Sequence, residues 1–152
     1  MGDEVRGIDP LGERVYPKAQ VLNRFIAKFV DFLLVAAAGK VAPPVGWLAG
    51  LAYVLIADGL PGGRSIGKRL AGLQTVIPRT RGVAGFRESI IRNLPLGCAY
   101  LLFPVPYVGW IGAIVLTGFE ALLIIGNDQG LRVGDDLAHT QVFDFGQFDH
   151  SD

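Results

Sequence analysis

Charged residues are missing from three stretches of this chain. Eight uncharged residues separate Asp31 from Lys40, seventeen separate Lys40 from Asp58, and twenty-seven separate Arg92 from Glu120, with seven more before Asp128. A bilayer core of about 30 Å takes roughly 20 apolar residues in helix. The third stretch meets that length, and the second falls just short. The pattern predicts an all-α, polytopic transmembrane bundle of four hydrophobic helices. The first is Val21 to Gly39, the second Val45 to about Asp58, the third Phe86 to Phe103 and the fourth Tyr107 to Gly126. Three spans are the alternative, if the piece from Leu94 to Phe103 lies flat or runs on into one bent helix. Gly39 to Pro44 and Pro104 to Pro106 are the breaks, since proline lacks an N–H and disfavours helix in the residue before it.

The first helix carries ions. Eight uncharged residues reach only about 12 Å as helix, so Phe32 to Gly39 must borrow Arg24 to Asp31. At about 100° per residue, Arg24, Lys28 and Asp31 fall within an arc of roughly 60°, beside an aromatic stripe of Phe25, Phe29 and Phe32. Asp31 is expected either near mid-membrane as a cation or proton site or as a structural clamp on Lys28 at i, i+3. Glu120 is a second intramembrane acid. The second helix contains Gly46-xxx-Gly50, a spacing that lets membrane helices approach closely.

Composition sharpens this. The chain has 152 residues, 51% hydrophobic and 18% charged, with 14 basic and 14 acidic side chains. One domain is expected, and the zero net charge gives no bulk attraction to nucleic acid. The zero hides two poles. Gly59 to Asn93 holds seven basic residues against Glu88, and Asn127 to Asp152 holds Arg132 against six aspartates. By the positive-inside rule the basic loop is cytoplasmic, and so is the amino terminus if the first two helices form a hairpin. With four spans the tail returns to the same side. The expected segments are a cytoplasmic 1–20, a transmembrane 21–142 and a flexible acidic tail 143–152. Met1 to Arg6 is acidic and no apolar run precedes Gln20, so a cleaved signal is not expected.

Catalysis has little to stand on. A single cysteine, Cys98, permits no internal disulfide and no Cys-cluster metal site. His139 and His150 lie in the tail, and no nucleophile–base set emerges. Gly62 to Lys68 imitates G-x-x-x-x-G-K, but Arg69 stands where Ser or Thr should hold magnesium. A turn into a short amphipathic helix, Ile66 to Leu73, is the better expectation, with Arg64, Lys68 and Arg69 meeting lipid phosphates or tail aspartates. No enzyme activity and no cofactor are expected.

Arg24 to Asp31, Gly67 to Val76, Arg92-Asn93, and Arg132-Val-Gly-Asp-Asp-Leu-Ala-His-Thr-Gln-Val142 together resemble the RDD family of membrane proteins, over nearly the whole chain. The resemblance implies that the arginine and two aspartates of the family's name are Arg24, Asp31 and Asp135. Two positions depart from it: Gly134 stands where many members have His, and His139 where many have Gly. It further implies a bacterial inner-membrane protein associated with transport of undefined ligands. Joined to the residue pattern, it suggests a small ion- or proton-coupled transporter, or a transporter subunit, with Arg24 latched to Asp135 and Asp31 as the deeper carboxylate. Secondary candidates are Lys28, Asp58, Lys68, Arg69, Glu120 and Arg132. A non-transporting scaffold that binds a partner through its cytoplasmic loop and tail is the alternative. Expected partners are the bilayer, anionic lipid head groups, and a second copy or partner subunit, because 152 residues is small for a complete secondary transporter.

Overall fold

The computed structural model describes residues 19–41, 43–80 and 82–145. Helix α1 spans Val21–Val41 and α2 Val45–Ile56, extended by a 3-10 turn at Ala57–Gly59. A short helix α3, Ile66–Leu70, leads into strand β1, Leu73–Ile77, and strand β2, Gly82–Val83. Helices α4, Phe86–Leu102, and α5, Val108–Gly126, follow, then a short α6, Val133–Leu137, and strand β3, Gln141–Asp144. The sheet is antiparallel with order β2-β1-β3, and Thr75 sits opposite Val142.

Two expectations are corrected here. The protein is not all-α, because part of the basic loop and the start of the tail pair as strands. It is also not a four-span bundle, nor a three-span one. Among the described residues, α5 alone is long and apolar enough to cross a membrane. The reasons are length and charge. At about 1.5 Å per residue α2 reaches about 18 Å and α4 about 25 Å, short of the roughly 30 Å core. Helix α4 spends its first turns on Arg87, Glu88 and Arg92, and α1 is long enough but carries Arg24, Lys28, Asp31 and Lys40.

Small residues set the helix contacts. A methyl group on Gly46 would overlap the Ala38 carbonyl of α1, and one on Gly50 would meet Val35 of α1 and Tyr100 of α4. Both glycines of the G-xxx-G spacing therefore bring α2 against its neighbours. Trp47 stacks on Tyr100 at 5.6 Å, and the Tyr100 hydroxyl donates to the Trp47 carbonyl at 3.1 Å. Helix α1 packs on α2 and α3, and α5 packs on α4.

The distribution of polarity is inverted. Buried apolar residues near the sheet form only a small cluster of Ala19, Ala27, Leu73 and Val142. Arg24, Asp31, Asp58, Lys68, Arg92, Glu120, Arg132 and Asp135 are all buried, while Phe29, Phe32, Ile111, Ile114 and Leu122 are each at least 60% exposed. A water-soluble core does the opposite.

Candidate functional site

Two short turns hold the ions. In each, a glycine lets a five-residue helix press on a longer one: a methyl on Gly67 would overlap the Ala27 carbonyl of α1, and a methyl on Gly134 the Arg92 carbonyl of α4. Each helix ends at an alanine, Ala71 or Ala138, and the next residue has positive φ, 67° at Gly72 and 50° at His139. Each then enters a strand, β1 or β3, and these pair with each other. The segments Ile66-Gly-Lys-Arg-Leu-Ala and Val133-Gly-Asp-Asp-Leu-Ala are thus a structural repeat with opposite charge after the glycine.

Asp135 and Asp58 are the two anionic centres. Asp135 contacts Arg92 Nη2 at 2.6 Å, Arg24 Nη2 at 2.9 Å and Arg132 Nη2 at 3.3 Å, and its Oδ2 accepts the Arg132 N–H at 3.3 Å. Arg24 also donates to the Gly130 carbonyl. Asp58, on the 3-10 turn after α2, lies 2.8 Å from Lys68 Nζ and 3.4 Å from Arg92 Nε, and accepts from Asn93 Nδ2 at 3.2 Å. Lys68 Nζ donates to Thr75 Oγ1 at 2.7 Å. Arg92 therefore bridges both carboxylates. Burial pushes both acids towards the neutral form, and the neighbouring cations win. Arg92, Arg132 and Arg24 hold Asp135, and Lys68, Lys28 and Arg92 hold Asp58, below the ordinary carboxylate range.

Asp31 belongs to a separate knot. Its carboxylate accepts from Ser65 Oγ at 2.6 Å, the Tyr53 hydroxyl at 2.7 Å and the Gly67 N–H at 2.8 Å. Ser65 Oγ in turn accepts the Lys68 N–H at 3.2 Å, capping α3. Asp31 thus ties α1 to α2 and to α3. The expectation of a clamp on Lys28 is corrected, because the partners come from other elements. Lys28 makes no hydrogen bond and no ion pair within 4 Å among the described residues, and acts on Asp58 through its charge at longer range.

The remaining candidates separate. Lys68 turns inward, so it meets Asp58 and not lipid phosphate, and the helix it occupies ends at Leu70, before the expected Leu73. Arg69 is exposed and donates to the Pro61 carbonyl at 2.8 Å, and Arg64 lies 3.9 Å over the Phe145 ring. Glu120 is buried in α5 with Arg132 Nε 3.5 Å away, and neither of its oxygens has a hydrogen-bond partner among the described residues. Cys98 is exposed on α4, and His139 is exposed. Phe143 and Asp144 belong to β3, while residues 146–152 of the expected tail, His150 among them, lie outside the described residues.

Tyr53 and Ser65, which the charge pattern does not single out, bind Asp31, and Arg92 and Asn93, counted with the basic loop, join the network at Asp58. The available signal was Arg92-Asn93 itself, two polar residues between Ile91 and Leu94 in a helix.

A cavity of about 920 Å³ opens over this network. Its sides come from α1, α2, α4 and α5 and include Phe25, Phe29, Phe32, Trp47, Tyr100 and Phe103. Its inner end is lined by Arg24, Lys28, Lys68, Arg92 and Arg132, against the acids Asp31 and Glu120. The chamber is lined mostly by apolar side chains, with five of its six basic groups at the ion network and Lys40 in the last turn of α1.

Compared with known proteins, the chain matches no family model, no curated protein and no solved structure.

Proposed function

We infer that this chain is an RDD family protein of the bacterial inner membrane, acting as a small ion- or proton-coupled transporter or transporter subunit. Helix α5 and the exposed apolar side chains hold it in the bilayer. Arg24, Asp31 and Asp135 fix the helices, and Glu120 is the carboxylate that exchanges. The inverted polarity supports the membrane setting, as does α5, with mean hydropathy 2.1 and only Gly109, Glu120 and Ile124 buried. The core helix of a water-soluble domain is mostly buried.

Glu120 is the observation that carries the transport reading. It is a buried acid with neither oxygen hydrogen-bonded among the described residues, at the basic end of the chamber with Arg132 Nε 3.5 Å away. An ion in hydrocarbon costs about 2.5–3.5 kcal/mol on insertion scales, which favours a proton or a counter-ion there. Asp31, saturated by three donors, is left a structural part.

The test is flux in proteoliposomes containing a pH-reporting dye. Glu120→Gln is expected to lower proton or cation flux at least tenfold in protein that circular dichroism shows to be folded, although loss of the Arg132 contact lowers its melting temperature. Equal flux in the variant, or none above protein-free vesicles in the unmutated protein, overturns the transport reading. A scaffold reading is favoured by one observation: Arg24, Asp31 and Asp135 all make structural bonds. It predicts a co-purifying partner that is lost on deleting residues 146–152.

A further inference from the structure

Arg24, Lys28, Lys68, Arg92 and Arg132 gather at one end of the chamber against four acids, Asp31, Asp58, Glu120 and Asp135, so the basic groups are one in excess, and two of their donors lack a hydrogen bond among the described residues. Arg92 is fully buried, yet its Nη1 has no hydrogen-bond partner among the described residues, since Nη2 serves Asp135 and Nε faces Asp58. Lys28 enters the same space and likewise makes no hydrogen bond among the described residues. Two donors with unused hydrogen-bonding capacity at one end of the chamber, Arg92 Nη1 and the Lys28 ammonium, can receive an anion, because a donor left without an acceptor away from water is costly.

The walls say what the anion is attached to. Phe25 and Phe29 of α1 and Tyr100 and Phe103 of α4 give the chamber hydrophobic sides, and its volume of about 920 Å³ lies within the range of small-ligand pockets. A free inorganic ion has no use for such walls. A metal or ammonium cation would meet six basic lining groups, Lys40 among them, against the two acidic ones.

We propose that this chamber binds an anionic lipid, its head group on Lys28 and Arg92 and its hydrocarbon chain along the aromatic walls. Phosphate is the head group that uses both donors: the guanidinium presents N–H groups in a fixed fork, and the ammonium acts as a point charge. Glu120 beside the head group must be neutral or must face Arg132 when the lipid is bound, so occupancy and the protonation of Glu120 are linked. The proposal rests on the membrane setting inferred above and does not require that transport occurs.

Binding is read in nonionic detergent on full-length protein carrying Trp110→Phe, so that the remaining indole, Trp47, lies in the chamber wall. Lysophosphatidate is expected to change Trp47 fluorescence saturably and to raise the melting temperature. Lysophosphatidylcholine, with the same chain and a zwitterionic head, is expected to bind at least tenfold more weakly, and inorganic phosphate not to bind at millimolar concentration. Lys28→Met is expected to weaken lysophosphatidate about tenfold and Lys28→Arg to restore it, both measured where circular dichroism shows the variant folded. Equal binding of the two lipids, or indifference to Lys28→Met, overturns the proposal. Phosphate binding with the same sensitivity to Lys28 overturns the lipid part and leaves a free-anion site. Flux that depends on Glu120 without lipid binding sinks this proposal alone. Binding without flux sinks only the transport reading.

Discussion

The α3–β1 turn and the α6–β3 turn follow one path with opposite charges. Both press a glycine on a long helix, both pass through a residue of positive φ, and both bury the side chain after the glycine while exposing the next. The buried residue is Lys68 in the first turn and Asp135 in the second. Lys68 finds its anion, Asp58, close by in sequence, whereas Asp135 takes cations from α1, α4 and its own turn. Backbone fit is thus what the two turns share, and charge is what makes them unequal. The second is the hub and the first is a branch.

Breaking the hub tests this most severely. Asp135→Asn takes the carboxylate from Arg24 and leaves Arg92 with Asp58 and Arg132 with Glu120, and removing one partner of a buried ion pair costs about 3–5 kcal/mol. Lys68→Met leaves Asp58 with Arg92 and Asn93, and is expected to cost about 1–3 kcal/mol. Urea midpoints in detergent measure both, and equal losses would erase the distinction.

Acid acts on the same centre. Asp135 and Asp58 are held below their unfolded value of about 3.9, so their stabilisation is fully present above that pH and is lost as pH falls through the depressed folded-state value. The midpoint should be level from neutrality to about pH 4 and then drop, with a shallower drop in Asp135→Asn. A level midpoint down to pH 2 would contradict the ion network.

The shared backbone is probed by Gly67→Ala and Gly134→Ala, each overpacking a carbonyl at a cost of about 1–3 kcal/mol. Similar losses support the repeat, and a loss at one site only would limit the likeness to sequence. The smallest effect is at the positive-φ residues. Gly72→Ala should cost about 1 kcal/mol, and His139→Gly should gain a few tenths to about 1 kcal/mol, both read from thermal midpoints.

Helices α1 and α5 were legible because their limits coincide with Pro43-Pro44 and with the end of an uncharged run. The number of spans was misjudged because α2 and α4 were taken as spans although each is too short to cross, and α1 was taken as one although it carries Arg24, Lys28, Asp31 and Lys40. Strand β1 was partly visible in Thr75-Val-Ile77, a β-branched series. Its partner β3 begins 68 positions after the start of β1, and no local pattern announces such a pairing. Asp31 was singled out from its place on α1, but its donors Ser65 and Gly67 come 34 and 36 residues later and fold against it only through the fit of Gly67 on Ala27. Arg92 was absorbed into a charge count that treats every basic residue as facing water.

Arg24 and Asp135 lie 111 positions apart. At roughly 5–20 residues per second, the ribosome makes the arginine about 5–20 s before the aspartate that neutralises it. Through that interval α1 is a finished helix with an unmatched cation, best kept in water. The carboxyl-terminal turn is therefore a late key: its arrival lets the amino-terminal helix bury its charged end, and a nascent chain halted before Asp135 should leave that end open to solvent and to proteases.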